Sequence, residues 1–156
     1  MSDVRRMLTP DQFEGVTDTV RDNNPGMAED VAVRIVTEAL KYVDSVTQFP
    51  TVRTSPSRVV DEGWHALILH TELYADLCAR LGGFVHHYPE RPDPERFDPD
   101  VLTRTVAAIE QSGHTVDQEL WTGPTKAFVD VTAKCSHTPM PGGCGPIRPG
   151  NCGTHR

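Results

Sequence analysis

Apolar residues in the first fifty positions recur at the spacing of an amphipathic helix. Residues 8–26 begin with Thr9 as a possible cap and Pro10 in the first turn, and apolar side chains follow three or four residues apart. Residues 27–49 have a wider apolar stripe, which predicts a second and more deeply buried helix. The Asn-Asn-Pro-Gly sequence between the two stretches predicts a break in the chain.

A third and longest helix is predicted over residues 54–83. Ser55 or Ser57 is a suitable cap for its start, and Gly82 with Gly83 ends it. The apolar face of this helix includes a tryptophan and a tyrosine, which we expect to anchor the core. Polar and titratable side chains lie on the opposite face, so this helix is the part of the chain in which to look for chemistry.

The apolar patterns in the rest of the chain are shorter. Residues 98–113 predict a fourth helix, residues 115–123 predict a short helix or turn, and residues 124–134 predict a fifth helix or an irregular strand. The final segment has no apolar period and is rich in Cys, Gly and Pro. We therefore predict an all-α domain over residues 1–130, a single small bundle of four to five helices. A disordered or irregular tail is predicted over residues 131–156.

The overall composition excludes several classes of function. The chain has 156 residues and a net charge of -7, which argues against nucleic acid as a partner because phosphate binding needs a basic face. No apolar run is long enough to span a membrane, and residues 1–12 lack the apolar region of a secretory signal. We therefore expect a cytoplasmic protein. In that compartment the four cysteines are expected to be thiols or metal ligands rather than disulfides.

Titratable residues cluster in the third predicted helix and just after it. On the rotation of about 100° per residue in a helix, Asp61, His65, Glu72 and Asp76 share one face. Asp61 and His65 are four residues apart, so the carboxylate can orient the imidazole or bind a metal beside it. After the two glycines the chain can reverse and present His86 and His87. Neighbours in an extended segment point to opposite sides, so only one of these two is expected to face the helix.

These side chains offer nitrogen, oxygen and sulfur atoms that bind metals. The candidate metal ligands are His65, His86, His87, Asp61, Glu72 and Cys78. A divalent transition metal, zinc or iron, suits a histidine and carboxylate set with an open position. The spacing matches none of the compact zinc motifs. Acids on a helix face are also typical of a solvated surface, and a lone Cys among apolar residues is typical of a small buried side chain.

Residues 60–89, VDEGWHALILHTELYADLCARLGGFVHHYP, resemble the motif of the glycine-rich-domain-containing-protein-like family. The matching positions are Asp61, Trp64, His65, Ile68, Leu69, Thr71, Tyr74, Cys78, Gly82, His86, His87 and Pro89. Residues 98–123 match more loosely. The tail resembles the Gly- and Cys-rich ends of many bacterial relatives, although here it is short and rich in Pro. The resemblance implies an α-helical domain and implies no particular reaction.

Three functions are compatible with these patterns. The first is a small metal-binding helical protein whose histidine and carboxylate site lies on the third helix and the following turn. The second is a non-enzymatic interaction module in which the same residues form a structural hydrogen-bond network. The third is a thiol-based metal carrier that acts through its tail, which contains Cys135, Cys144 and Cys152. The expected partner is a protein or a small molecule, not nucleic acid or a membrane.

Overall fold

The described part of the chain is entirely helical. The computed structural model describes residues 3–88, 95, 97–123 and 128–129. These residues form a short 3-10 turn and six α-helices, and no strand occurs among them. In chain order the elements are the 3-10 turn Val4–Met7, then α1 (Pro10–Asn23), α2 (Glu29–Gln48), α3 (Arg58–Leu69), α4 (Thr71–Leu81), α5 (Val101–Gln111) and α6 (Gln118–Thr122).

The all-α prediction is therefore confirmed. None of the described helices combines the length and the apolar character that crossing a membrane requires. The predicted tail over residues 131–156 lies outside the described residues. So does most of the predicted fifth helix or irregular strand over residues 124–134, of which only Phe128 and Val129 are described.

The first helix begins where the sequence predicts. The side chain of Thr9 accepts a hydrogen bond from the backbone of Gln12 at 3.2 Å, and the Gln12 side chain accepts one from the backbone of Thr9 at 3.0 Å. This reciprocal pair satisfies two backbone donors that a helix start leaves open. After α1 the side chain of Asn24 donates to Glu62 on α3 at 3.0 Å, so the break between α1 and α2 is tied to the third helix.

The second helix lies at the centre of the bundle and packs against α1, α3, α4 and α5. At Gly63, α3 lies close against this helix. A Cβ atom added to Gly63 would lie 2.8 Å from the carbonyl oxygen of Ile35 and 2.9 Å from the Cβ atom of Ala39. Real Cβ atoms essentially never make contacts this short. The two helices therefore cross at this distance only because position 63 has no side chain.

The predicted single helix over residues 54–83 is two helices that meet at His70. The backbone of His70 leaves the helical region, with φ -85° and ψ 72°, and its carbonyl oxygen accepts the first hydrogen bond of α4, from Tyr74. The His70 ring also forms a hydrogen bond with Thr19 on α1, with an Nε2–Oγ1 distance of 2.8 Å. This bend invalidates the face count that placed Glu72 with Asp61, because that count assumes a straight helix.

Polar side chains along α2 contact the chain that follows α5. The pairs are Arg34 with Asp117 (2.7 Å), Glu38 with Trp121 (2.8 Å), Lys41 with the carbonyl of Thr115 (2.7 Å) and Asp44 with His114 (2.6 Å). The two carboxyl groups that α2 contributes, those of Glu38 and Asp44, belong to buried residues, and each has a hydrogen-bond donor within reach. The segment that leads into α6 therefore returns to the central helix through polar contacts.

We expect Gly63→Ala to lower the free energy of unfolding by about 2 kcal/mol, because the new methyl group forces α2 and α3 apart. Gly15→Ala is the matched control. Gly15 also lies inside a helix, but its added Cβ meets only the His70 ring at an ordinary 3.7 Å. That control is expected to be neutral or to stabilise by up to about 1 kcal/mol. Urea unfolding of both variants measures the difference, and equal effects would contradict the close crossing.

The ion pair between Arg34 and Asp117 predicts an acid-dependent stability. The Arg34 guanidinium holds the pKa of Asp117 below its ordinary value, chiefly through its hydrogen bonds. The unfolded chain therefore binds this proton more readily, so the stabilisation is full at neutral pH and is lost as the pH falls below about 4. We expect Asp117→Asn to cost about 1 kcal/mol at neutral pH and progressively less in acid.

The control for this pH series is Asp18→Asn. Asp18 lies 3.7 Å from Arg21, and both side chains are largely exposed, so removing this charge is expected to change stability by at most a few tenths of a kcal/mol. Urea midpoints at several pH values measure both variants. A loss in Asp117→Asn that does not change with pH would contradict the assigned role of the ion pair.

Candidate metal site

Hydrogen bonds of Ser57, one within α3 and one to α6, fix the start of α3 and thereby the position of Asp61. The Ser57 hydroxyl accepts a hydrogen bond from the backbone of Val60 at 3.2 Å and donates one to the carbonyl of Leu120 in α6 at 2.7 Å. Asp61 follows in the first turn and is buried, and His65 lies one turn later on the same side. The i, i+4 spacing places the two side chains next to each other.

The third candidate residue, a histidine, lies in the segment that follows α4. Gly82 takes the left-handed conformation, with φ 102°, which ends the helix and redirects the chain. In the segment that follows, side chains alternate between the protein and solvent. Val85 is buried and His87 is partly buried, whereas Phe84, His86 and Tyr88 are exposed. As this alternation predicts, one of the two adjacent histidines faces α3, and it is His87.

Asp61, His65 and His87 bring their ligand atoms together within 4.8 Å of one another. The two Nε2 atoms are 3.0 Å apart, His65 Nε2 lies 3.6 Å from Asp61 Oδ2, and His87 Nε2 lies 3.9 Å from Asp61 Oδ1. Two nitrogen atoms that each bind one ion at about 2.0–2.1 Å are roughly 2.9–3.4 Å apart at ordinary coordination angles. The separation of the two histidines fits that range.

The charges of the group depend on its burial. Burial raises the pKa of Asp61 well above its ordinary value, the neighbouring Glu62 raises it further, and Arg58 opposes both effects. Burial also lowers the pKa of His87 to about 4, and His65 adds to that shift. His87 is therefore neutral at physiological pH, which is the form of imidazole that binds metals. A cation among the three would favour the charged carboxylate that burial disfavours.

Two aromatic residues, Trp64 and Tyr74, connect the elements that contain the group. The indole nitrogen of Trp64 donates a hydrogen bond to the Tyr74 hydroxyl at 3.0 Å, and that hydroxyl donates to the carbonyl oxygen of Val85 at 2.5 Å. The Trp64 ring also packs against His87, with ring centroids 4.6 Å apart, and against Tyr42 at 5.2 Å. The sequence indicates that Trp64 and Tyr74 are core anchors, but their direct bond spans a helix break that it did not predict.

Three of the six predicted ligands lie apart from this group. His86 is exposed because it points to the opposite side of its segment from His87. Glu72 is exposed on α4, beyond the break at His70, and is not one of the three grouped residues. Cys78 is fully buried beside the Tyr74 hydroxyl, the position typical of a small buried side chain.

A small cleft adjoins the group through Trp64. It has a volume of about 170 Å³, and its lining includes Tyr42, Thr54, Trp64, His86 and Tyr88. The side chain of His65 is 27% exposed, whereas that of Asp61 is 6% exposed. The group is therefore open to solvent at His65 and closed at Asp61.

A family model described as UCP032817-like matches residues 5–95. The match covers more than half of the chain and includes the three residues of the candidate group, so the chain belongs to that family. No curated protein and no solved structure matches it. None of these findings bears on the resemblance to the glycine-rich-domain-containing-protein-like family, which stays a prediction.

Proposed function

We propose that this member of the UCP032817-like family binds one divalent transition metal ion, zinc or iron, through Asp61, His65 and His87. The observation that supports the proposal is the approach of two imidazole nitrogens and one carboxylate to within 4.8 Å of one another. Neutral imidazole and carboxylate together are a common donor set for zinc and for non-haem iron. The depressed pKa of His87 favours the protonation state that such binding needs.

Three protein ligands leave the ion with at least one further coordination position. Structural zinc sites usually use four protein ligands, whereas catalytic zinc sites use three and keep a position for water or substrate. Two histidines with one carboxylate likewise leave open positions on non-haem iron. The partial exposure of His65 gives a small molecule access to that side of the group. The proposed site is therefore of the open kind, and its reaction and substrate are not assigned.

A second candidate function, a non-enzymatic interaction module, is supported by the distance between the two imidazoles. The Nε2 atoms of His65 and His87 lie 3.0 Å apart, which is also the distance of a direct hydrogen bond between two neutral imidazoles. In that case the group fixes residues 84–88 on the bundle without any ion, and the protein is a non-enzymatic interaction module. The metal carrier that acts through tail cysteines is the third alternative, and those cysteines lie outside the described residues.

Elemental analysis of the purified full-length protein separates these functions. We expect about one zinc or iron ion per chain, which His65→Ala, His87→Ala and Asp61→Asn each remove. The expected loss of affinity exceeds the roughly 10–100-fold that substitutions of residues supporting a ligand typically cause. Mass spectrometry of the metal content gives the stoichiometry, and competition with a chelating dye gives the affinity.

His86→Ala is the matched control, since it removes an imidazole from the neighbouring exposed position and is expected to keep the metal. A second control replaces Cys135, Cys144 and Cys152 with serine in the full chain, and it too is expected to keep the metal. Loss of the metal in the serine variant would favour the tail carrier. A wild-type protein that binds no metal, with His87→Ala lowering only its stability, would favour the interaction module.

A further inference from the structure

We infer that the Tyr74 hydroxyl is the positioning group that sets the distance between His87 and the other two members of the site. The effect of Tyr74 on metal affinity rests on the proposed function, whereas its effect on the position of His87 does not. Tyr74 lies on α4, is buried, and is not a ligand itself. Its role is to fix the backbone on which His87 is carried, so it acts through His87 and not on the ion.

The hydroxyl joins the two parts of the chain that contain the histidines. It accepts a hydrogen bond from Trp64, which directly precedes His65 in α3. It donates to the carbonyl of Val85, which lies two residues before His87. Two hydrogen bonds through one oxygen atom thus connect the indole ring of the residue before His65 with the backbone two residues before His87.

Aromatic contacts on both sides of Val85 limit what the segment can do once this bond is made. Phe84 packs edge-on against the Tyr74 ring, with centroids 5.4 Å apart. His87 packs on the Trp64 ring at 4.6 Å. Phe84, Val85 and His87 therefore each contact α3 or α4, and the contact of Val85 with Tyr74 is a hydrogen bond. A hydrogen bond restrains distance and direction more strictly than ring packing does.

The hydroxyl can be removed without removing the ring. In Tyr74→Phe the packing on Phe84 is retained, but the indole N–H of Trp64 and the carbonyl of Val85 both lose the oxygen they share. Buried polar groups that lose a partner tend to move until they find another one or reach water. We therefore expect residues 84–88 to loosen and His87 to spend less time within reach of Asp61 and His65.

The test measures zinc affinity of the full-length protein by competition with a chelating dye. Tyr74→Phe is expected to weaken binding by about tenfold or more, as residues that orient a ligand typically do. Tyr42→Phe is the matched control: Tyr42 is also buried, also packs on Trp64, and its hydroxyl pairs with Thr54 and not with residues 84–88. It is expected to change zinc affinity by less than about twofold.

A double variant separates positioning from general damage. Because Tyr74 is inferred to act through His87, Tyr74→Phe is expected to cause no further loss of the weak zinc affinity that Asp61 and His65 alone retain in a His87→Ala chain, measured at raised zinc concentration. A merely structural effect would lower affinity in both backgrounds. Equal losses in the two backgrounds would therefore overturn the inference. If Tyr74→Phe does not fold, Trp64→Phe, which removes the donor on the other side of the same hydroxyl, replaces it in the cycle.

Hydrogen exchange of the metal-free protein keeps this inference distinct from the proposed function. Tyr74→Phe is expected to speed amide exchange in the peptide that contains residues 84–88, and Tyr42→Phe is expected to leave it unchanged. If the wild type binds no metal and exchange still rises, the proposed function fails and the positioning role is supported. If exchange in this peptide does not change, the positioning role is overturned whether or not the protein binds metal.

Discussion

At Gly63 the backbone of α3 lies directly against the carbonyl oxygen of Ile35 on α2, with no side chain between them. Two of the three residues of the candidate site lie on either side of this contact: Asp61 comes two positions earlier and His65 two positions later. A helix is stiff over this length, so fixing α3 at one point fixes the direction in which both side chains leave it. The same crossing brings Trp64 against Tyr42, which seats the indole beneath His87.

Local patterns predicted the elements, and tertiary contacts decided how they join. The helix class and the start of α1 follow from apolar period and capping, both of which involve residues a few positions apart. The proximity of Asp61 and His65 is local in the same sense. The bend at His70 is not local, because its ring meets Thr19 on another helix. Nothing within residues 54–83 specifies that contact, so the shared face with Glu72 was predicted wrongly.

The sequence does not determine which of the two adjacent histidines, His86 or His87, faces α3. Alternation in the segment after Gly82 predicts that one of them faces α3, but alternation has no absolute register. The register is set when the Val85 carbonyl meets the Tyr74 hydroxyl, a contact eleven residues apart across a helix end. The polar side of α2 is a similar case, since its partners lie 70 to 83 residues further along the chain.

The division of the site between α3 and the segment beyond α4 has a mechanical consequence. Asp61 and His65 lie in α3, whereas His87 lies beyond the end of α4, so the whole of α4 separates them along the chain. An ion bound by all three would cross-link the two ends of this α3–α4 unit in the manner of a removable disulfide. It would find no equivalent arrangement in the unfolded chain, so the melting temperature would rise with the logarithm of the free metal concentration above the Kd, even in a protein that catalyses nothing.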